Sequence, residues 1–344
     1  MDPKYDIAQA GISLLRYTEE READVHSGMQ ILNMFKDDLD DALAVSEYNG
    51  IGRLIAKQLD QDSAEAEAES VEMVASMQGI ITAKELPPFR GRINPSKAYF
   101  FRQAVTIAIV DDTVCDRVLE QIGRVQNIFK RQYGDNLIDS CGFATTVTGP
   151  VSYNTFDISN RLFKKKSDAN GEPQRMLGSS VDPDGTIQTA GNASGLVHTA
   201  DNEVFYFERK KDAVKGQYKF VTAEPTIFQI GDIVEVQLSF VALPLHQRKR
   251  RLSLLLRSIG LMDAKYSKDL SLSKFKSGAR NNTAVRPMLK RAVGYSEENV
   301  SIAESRMAGM EVDDRAVGRN SGDDKEGGDG KRAGRHSRPD KKRD

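Results

Sequence analysis

Along the first ninety residues apolar side chains recur every three to four positions. Ile12, Leu15 and Tyr17 precede an acidic break at residues 18–24, and Met29, Leu32, Met34, Phe35, Leu39 and Leu43 then form one stripe. Such spacing places them on one face of a helix. Asn49-Gly50 reads as its stop, because glycine enters the left-handed conformation at a helix C-terminus without a steric penalty. A further helix is expected over residues 62–83, carried by the Ala-Glu run 64–69 and by Val71, Met73, Val74 and Met77, and ended by Pro87-Pro88. Residues 94–133 read as a helical middle. Asn94-Pro95-Ser96 is a helix start, and Asp111 or Asp112 caps a helix carrying Val114, Val118, Ile122, Val125 and Phe129 that ends at Gly134. The stretch 104–110 alternates β-branched residues and fits a buried strand as well as a helix.

From Gly142 the pattern changes. Short runs rich in β-branched and aromatic residues, at 143–147, 151–158, 196–198, 204–208, 217–221 and 233–243, are divided by turn clusters at 149–150, 168–173, 182–185 and 191–195. The last run alternates cleanly. Val234, Val236, Leu238, Phe240 and Ala242 point one way, and Glu235, Gln237 and Ser239 the other, as in a strand with one buried and one wetter face. Residues 252–262 suit either element; the hairpin-sized segment 244–251 before them favours a strand. Beyond residue 262 order should decline, and beyond Val317 no large apolar residue offsets the entropy of ordering the chain.

The expected fold is therefore α+β. An acidic helical region (1–90) and a helical middle (91–141) make a helical N-terminal half. A β-rich C-terminal domain (142–262), a small barrel or OB-like, follows, and then a basic to mixed-charge disordered tail (263–344). The 344 residues suffice for such a core, and 39% hydrophobic with 29% charged residues suits a soluble chain with some disordered length. The longest largely apolar run, residues 104–110, is far short of the roughly 20 residues of a spanning helix, so no membrane partner is expected. The N-terminus lacks the basic and apolar regions of a secretory signal, and two cysteines, Cys115 and Cys141, are too few for a disulfide scaffold. Together these imply an intracellular protein.

A net charge of −1 hides a separation. Residues 1–90 hold 8 Lys/Arg against 18 Asp/Glu, whereas residues 244–293 hold 13 Lys/Arg against only Asp263 and Asp269. Either the basic part meets an anionic partner, or the two parts clamp one another, within a chain or between chains. Two solvated faces would show the same numbers.

Catalytic patterns are missing from the sequence. It has no phosphate-binding glycine loop, no paired Cys-x-x-Cys and no His-Glu-x-x-His, and His26, His198, His246 and His336 stand apart. Asp182-Pro183-Asp184-Gly185 opens like a calcium loop, but its twelfth position is Ala193 where a bidentate Glu is needed, so it reads as a tight turn. Acidic pairs at Asp37-Asp38 and Asp40-Asp41 suit a solvated face better than magnesium. No enzyme activity, cofactor or metal is expected.

The sharpest feature is Arg248-Lys249-Arg250-Arg251 at the turn of the 244–257 hairpin, with Arg257 on the return strand. Adjacent cations at an exposed tip suit phosphate oxygens, and neutralising phosphates releases counterions. A solubilising loop, or a blunted sheet edge, would look the same. Upstream, Phe205-Tyr206-Phe207 leads into basic residues and Gln217-Tyr218-Lys219-Phe220 returns. Aromatic and basic side chains interleaved in this way, with Tyr206, Tyr218 and Lys219 open, would make a base-stacking platform for single strands. Core aromatics with snorkelling lysines are the alternative.

The run Gly231-Asp232-Ile233-Val234-Glu235-Val236-Gln237-Leu238-Ser239-Phe240, a basic turn, and Leu254-Leu255-Leu256-Arg257-Ser258-Ile259 resemble uncharacterised proteins of mushroom-forming fungi over about residues 225–265. The same pattern is similar to the closing hairpin of OB-type single-stranded DNA-binding proteins, a resemblance of topology. In the tail, Lys331-Arg332 and Lys341-Lys342-Arg343 resemble a bipartite nuclear import signal, set among nine acids from residue 305 onward. The expectation is a nuclear protein that binds nucleic acid without sequence selection, single strands before duplex. The alternative is a non-enzymatic structural or assembly protein that self-associates through its acidic helices and basic segment.

Overall fold

The computed structural model describes residues 1–36, 42–57, 71–90, 94–148, 151–169, 171–212 and 216–281. The chain divides into two units, 1–283 and 284–344, and every described residue belongs to the first. Residues 282–344, which hold the tail's basic clusters, and the acidic pairs Asp37-Asp38 and Asp40-Asp41 lie outside the described residues.

The N-terminal half is not helical. It holds α1 (Ile7–Ala23), β1 (Leu43–Tyr48), β2 (Ile51–Ala56), β3 (Val71–Glu72), β4 (Val74–Glu85), β5 (Arg102–Ile109) and α2 (Asp112–Tyr133). Helix α1 begins at Asp6, whose carboxylate accepts from the Gln9 N–H at 3.1 Å, and runs through the expected acidic break. Asn49-Gly50 does not end a helix. Both residues have positive φ (55° and 73°) and join β1 to β2, with Tyr48 paired to Ile51, as a two-residue hairpin turn requires. Of the helix expected over residues 62–83, the part with the Ala-Glu run lies outside the described residues. Over the rest stand β3 and, in place of a helix, a 12-residue strand, β4. Its Ala75, Met77 and Ile81 enter the main core, while Ser76, Gln78 and Ile80 between them are buried beneath α1 and the segment after it. A strand covered on both faces loses the period-two alternation that identifies strands. Residues 104–110 fall largely in β5. The α2 reading holds in detail: Asp111 caps the Val114 N–H at 2.9 Å, Gly134 stops the helix at φ 103°, and Val114, Val118, Ile122, Val125 and Phe129 are buried.

Then come β6 (Ile138–Asp139), β7 (Phe143–Thr148), β8 (Val151–Arg161), β9 (Lys164–Lys165), α3 (Thr186–Ala193), β10 (Leu196–Val197), β11 (Phe205–Lys211), β12 (Tyr218–Thr222), β13 (Ile233–Pro244), β14 (Arg250–Asp263) and α4 (Lys265–Asn281). The expected decline of order past residue 262 is thus corrected over α4, whose Tyr266 hydroxyl bonds Ser13 of α1 at 2.7 Å and whose ring meets Tyr5.

Twelve strands share one sheet, and five of them close on themselves. Around the barrel β4 pairs β5, β5 pairs β8, β8 pairs β14, β14 pairs β13, and β13 returns to β4. Only β8–β14 is parallel. In chain order the five strands run 1-2-3-5-4 around the barrel. Strands from both halves of the chain build it, so no helical half stands apart from a β domain. Gly79 of β4 lets β5 approach closely, since a Cβ there would lie 2.8 Å from Ile107. The face of β13 read as apolar joins the main core, with β14 and α2. The face read as wetter is polar but covered: Glu235 and Ser239 are buried and Gln237 is half-buried.

Candidate nucleic-acid interface

The β13–β14 hairpin turns through Leu245–Lys249, with Gln247 and Arg248 both at positive φ. Arg248, Lys249 and Arg251 are exposed and make no ion pair with another described residue. Arg250 differs from its neighbours. Its guanidinium lies 4.1 Å over the Tyr133 ring, donates to the Gly50 carbonyl at 2.8 Å and pairs with Glu47 at 3.2 Å, so it fastens the tip to the β1–β2 turn and α2.

Arg257 is sequestered. Its Nη2 pairs with Glu72 at 2.6 Å and Asp201 at 3.0 Å, its Nη1 donates to the Asp201 carbonyl, and its Nε donates to Ser239. Arg53 joins through Glu72 and Asp201, and Lys164 through Asp201 and Glu172. Burial by itself would raise the Asp201 pKa, but the hydrogen bond and charge of Arg53, with Arg257 and Lys164, hold it well below the usual carboxylate range. Three cations locked to three carboxylates leave little charge for an outside phosphate.

Tyr206 is not available for stacking either. Only 7% of it is exposed, its ring packs near Phe228, and its hydroxyl donates to Gln103 at 2.5 Å. Tyr218 is exposed, with Arg209 4.2 Å over its ring, and Lys219 is exposed but paired with Asp212 at 3.0 Å. They also lie far from the tip. Strand β11 runs parallel to β14, Phe205 beside Ser258 and Glu208 beside Leu261, so the β11–β12 turn stands beyond the far end of β14. The tip stands before its start, roughly 40 Å away along the strand at about 3.3 Å per residue. The tip cations and the Tyr218 pair are separate surfaces.

The charge separation is partly resolved within the chain. Glu47 meets Arg250, Glu72 meets Arg257, and Asp2 meets Lys274 at 2.7 Å, each joining the acidic N-terminal part to the basic segment.

A different constellation is assembled by the fold. Pro95, Ser96 and Tyr99, on a 3₁₀ turn capped by Asn94, face Lys165, Lys166 and Ser194 across an open cleft of about 440 Å³. Arg161 lies 4.4 Å over the Tyr99 ring and Lys165 Nζ 5.9 Å from its centre. Phe100 stands edge-on to Tyr99 at 5.7 Å and is 68% exposed. Ser194 donates to the Pro95 carbonyl at 2.8 Å, tying one wall to the other. Beneath them a separate core of Ala98, Leu162, Phe163, Ile187, Ala190 and Leu196 holds the walls in place. Sequence reasoning missed this cleft, though two signals were present: the aromatic triplet 99–101 and the lysine triplet 164–166.

Elsewhere, His198 is buried with Nδ1 donating to the Leu162 carbonyl, and both cysteines are buried thiols. Among the described residues no three His, Cys, Asp or Glu side chains come together to hold a metal, and no helix is long and apolar enough to cross a membrane. Neither a protein-family model nor a curated protein matches the chain.

Proposed function

We propose that this chain binds nucleic acid without sequence selection, single strands in preference to duplex, through an OB-type barrel. The observation that carries the reading is the barrel itself. Its strand order of 1-2-3-5-4, with one parallel pair, closes through a hairpin whose turn displays Arg248 and Lys249, with Arg251 beside them. Small five-stranded barrels of this type bind oligonucleotides on one face and on the loops that flank it. Arg248, Lys249 and Arg251 hold phosphates in this reading, whereas Arg250 and Arg257 hold the fold. The rival reading, self-association through acidic helices, is weakened because Glu47, Glu72 and Asp2 already engage the basic segment of their own chain.

The test is fluorescence anisotropy with a labelled 20-nucleotide oligothymidine against a duplex of equal length, across a salt series. Replacing Arg248, Lys249 and Arg251 by Ser should spare the fold and lower the log–log salt slope by about 0.7 per lost contact, roughly 2 in all. A wild-type protein that ignores the oligonucleotide at low salt overturns the reading. Salt-sensitive oligomers in that same sample would favour assembly. The reading also takes the tail's two basic clusters as a nuclear import signal, and a reporter fused to residues 318–344 that stays evenly spread overturns that part.

A further inference from the structure

We infer that the bound strand does not stop at the hairpin tip but runs from it into the cleft between the 95–100 turn and Lys165-Lys166, at whose edge a base stacks on Phe100 beside Tyr99. This rests on the nucleic-acid reading above and specifies its path.

Three observations lead there. First, the cleft and its edge have the chemistry of a nucleotide site: exposed cations lining it for phosphate, and beside its Tyr99 wall an exposed aromatic ring, Phe100, for a base. Phe100 is mostly exposed, and the Tyr99 ring beside it is already backed by Arg161. A large ring held open at 68% exposure is what sequence-tolerant stacking uses, since every base has a π-face. Lys165 and Lys166 are exposed, and neither makes an ion pair with another described residue. Both differ in this from Lys164, which faces inward to Glu172 and Asp201.

Second, the walls are fixed before any ligand arrives. The Ser194–Pro95 hydrogen bond and the small core under the cleft set its width, so a strand would enter a formed site and meet a smaller ordering cost.

Third, the cleft and the tip are joined by one short element. The Asn49 side chain of the β1–β2 turn donates to the Asp168 carbonyl at 2.5 Å, two residues from Lys166, while the carbonyl of the next residue, Gly50, accepts from Arg250. The turn therefore bridges the lysine segment and the basic hairpin. Its own residues add no acid between them. Of the carboxylates nearby, Glu47 is paired with Arg250 and Glu172 with Lys164, while Asp168 is exposed and, among the described residues, its carboxylate bonds only the Ser167 hydroxyl at 2.7 Å. Phosphates leaving Lys166 would thus pass the turn toward Arg248 and Lys249, with Asp168 a carboxylate at the start of that path that no cation of a described residue neutralises.

The test uses the full chain and the same labelled 20-nucleotide oligothymidine, with circular dichroism melts to confirm each variant folds. Phe100→Ala removes an exposed ring and should weaken binding by about 5- to 100-fold with an unchanged salt slope, because stacking involves no counterion. Lys165→Ser with Lys166→Ser should lower the slope by about 1.4. Oligothymidine bearing 4-thiothymidine should crosslink to peptides containing Phe100 and to the 245–251 hairpin on the same strand. If the cleft variants bind like wild type while the tip variant loses slope, the path is overturned and the nucleic-acid reading stands. If wild type binds thymidine monophosphate in a Phe100-dependent way but not the 20-mer, the continuous track is overturned in favour of a mononucleotide site. If wild type binds neither, both readings fall together.

Discussion

Arg21 and Glu235, 214 residues apart, meet in a two-pronged ion pair: Nε to Oε2 at 2.7 Å and Nη2 to Oε1 at 2.9 Å. Their side chains are only 11% and 5% exposed, and Gln78 donates to the same carboxylate at 2.7 Å. The pair ties α1 to the outer face of β13. Removing one partner leaves a buried charge without its counter-ion, so Arg21→Ala should cost about 3–5 kcal/mol in urea unfolding. The exposed pair Arg102–Glu85 is the control, and Arg102→Ala should cost well under about 1 kcal/mol. Equal costs would mean that the Arg21 site admits water freely.

Strand β13 offers a second comparison. Phe240 is fully buried in the main core, and Phe240→Ala should cost about 3–5 kcal/mol. Gln237, on the polar face, accepts from the Ser258 hydroxyl at 2.7 Å, so Gln237→Ala should cost about 1 kcal/mol. Chemical denaturation of both variants settles the ordering. A Gln237 cost matching that of Phe240 would show that the polar face holds the strand as firmly as the core does.

Two glycines should respond oppositely to the same substitution. A Cβ at Gly50 meets nothing within 4 Å, but its φ of 73° is one that alanine resists, so Gly50→Ala should destabilise by about 1–2 kcal/mol through the backbone alone. Gly123 lies in the middle of α2, also with open space around it, and Gly123→Ala should stabilise by up to about 1 kcal/mol. Melting temperatures moving in the same direction would refute the turn geometry.

His198 gives the fold a mild acid sensitivity. Burial lowers its pKa below the ordinary value of 6.5, with the hydrogen bond to Leu162 opposing. The unfolded chain therefore takes up a proton before the folded one does. Stability from this group is complete above about pH 6.5 and decreases as pH falls toward the folded value. Asp201, whose pKa is depressed, works in a lower window: its contribution persists above its ordinary value of 3.8 and is lost only below it. Unfolding free energies at pH 7.5 and pH 5 should differ more for wild type than for His198→Gln. An unchanged difference would place the acid sensitivity elsewhere.

Local patterns determined several elements without help from the rest of the chain. Helix α2 carries its own cap, stripe and stop, because its one buried face repeats at the helical period. The short runs from residue 143 onward became strands, and the hairpin that displays Arg248 and Lys249 was legible from its alternation and its basic turn. Tertiary structure decided the rest. Strand β4 is covered on both faces, so its sequence shows no alternation, and its strand form is fixed by pairing with β5 and β13. Arg257 and Tyr206 looked available because their partners, Glu72, Asp201 and Gln103, come from distant segments that only barrel closure brings beside them. The cleft of Tyr99 and the lysines has the same origin, since its two walls are more than sixty residues apart and meet over a core that neither wall contains alone.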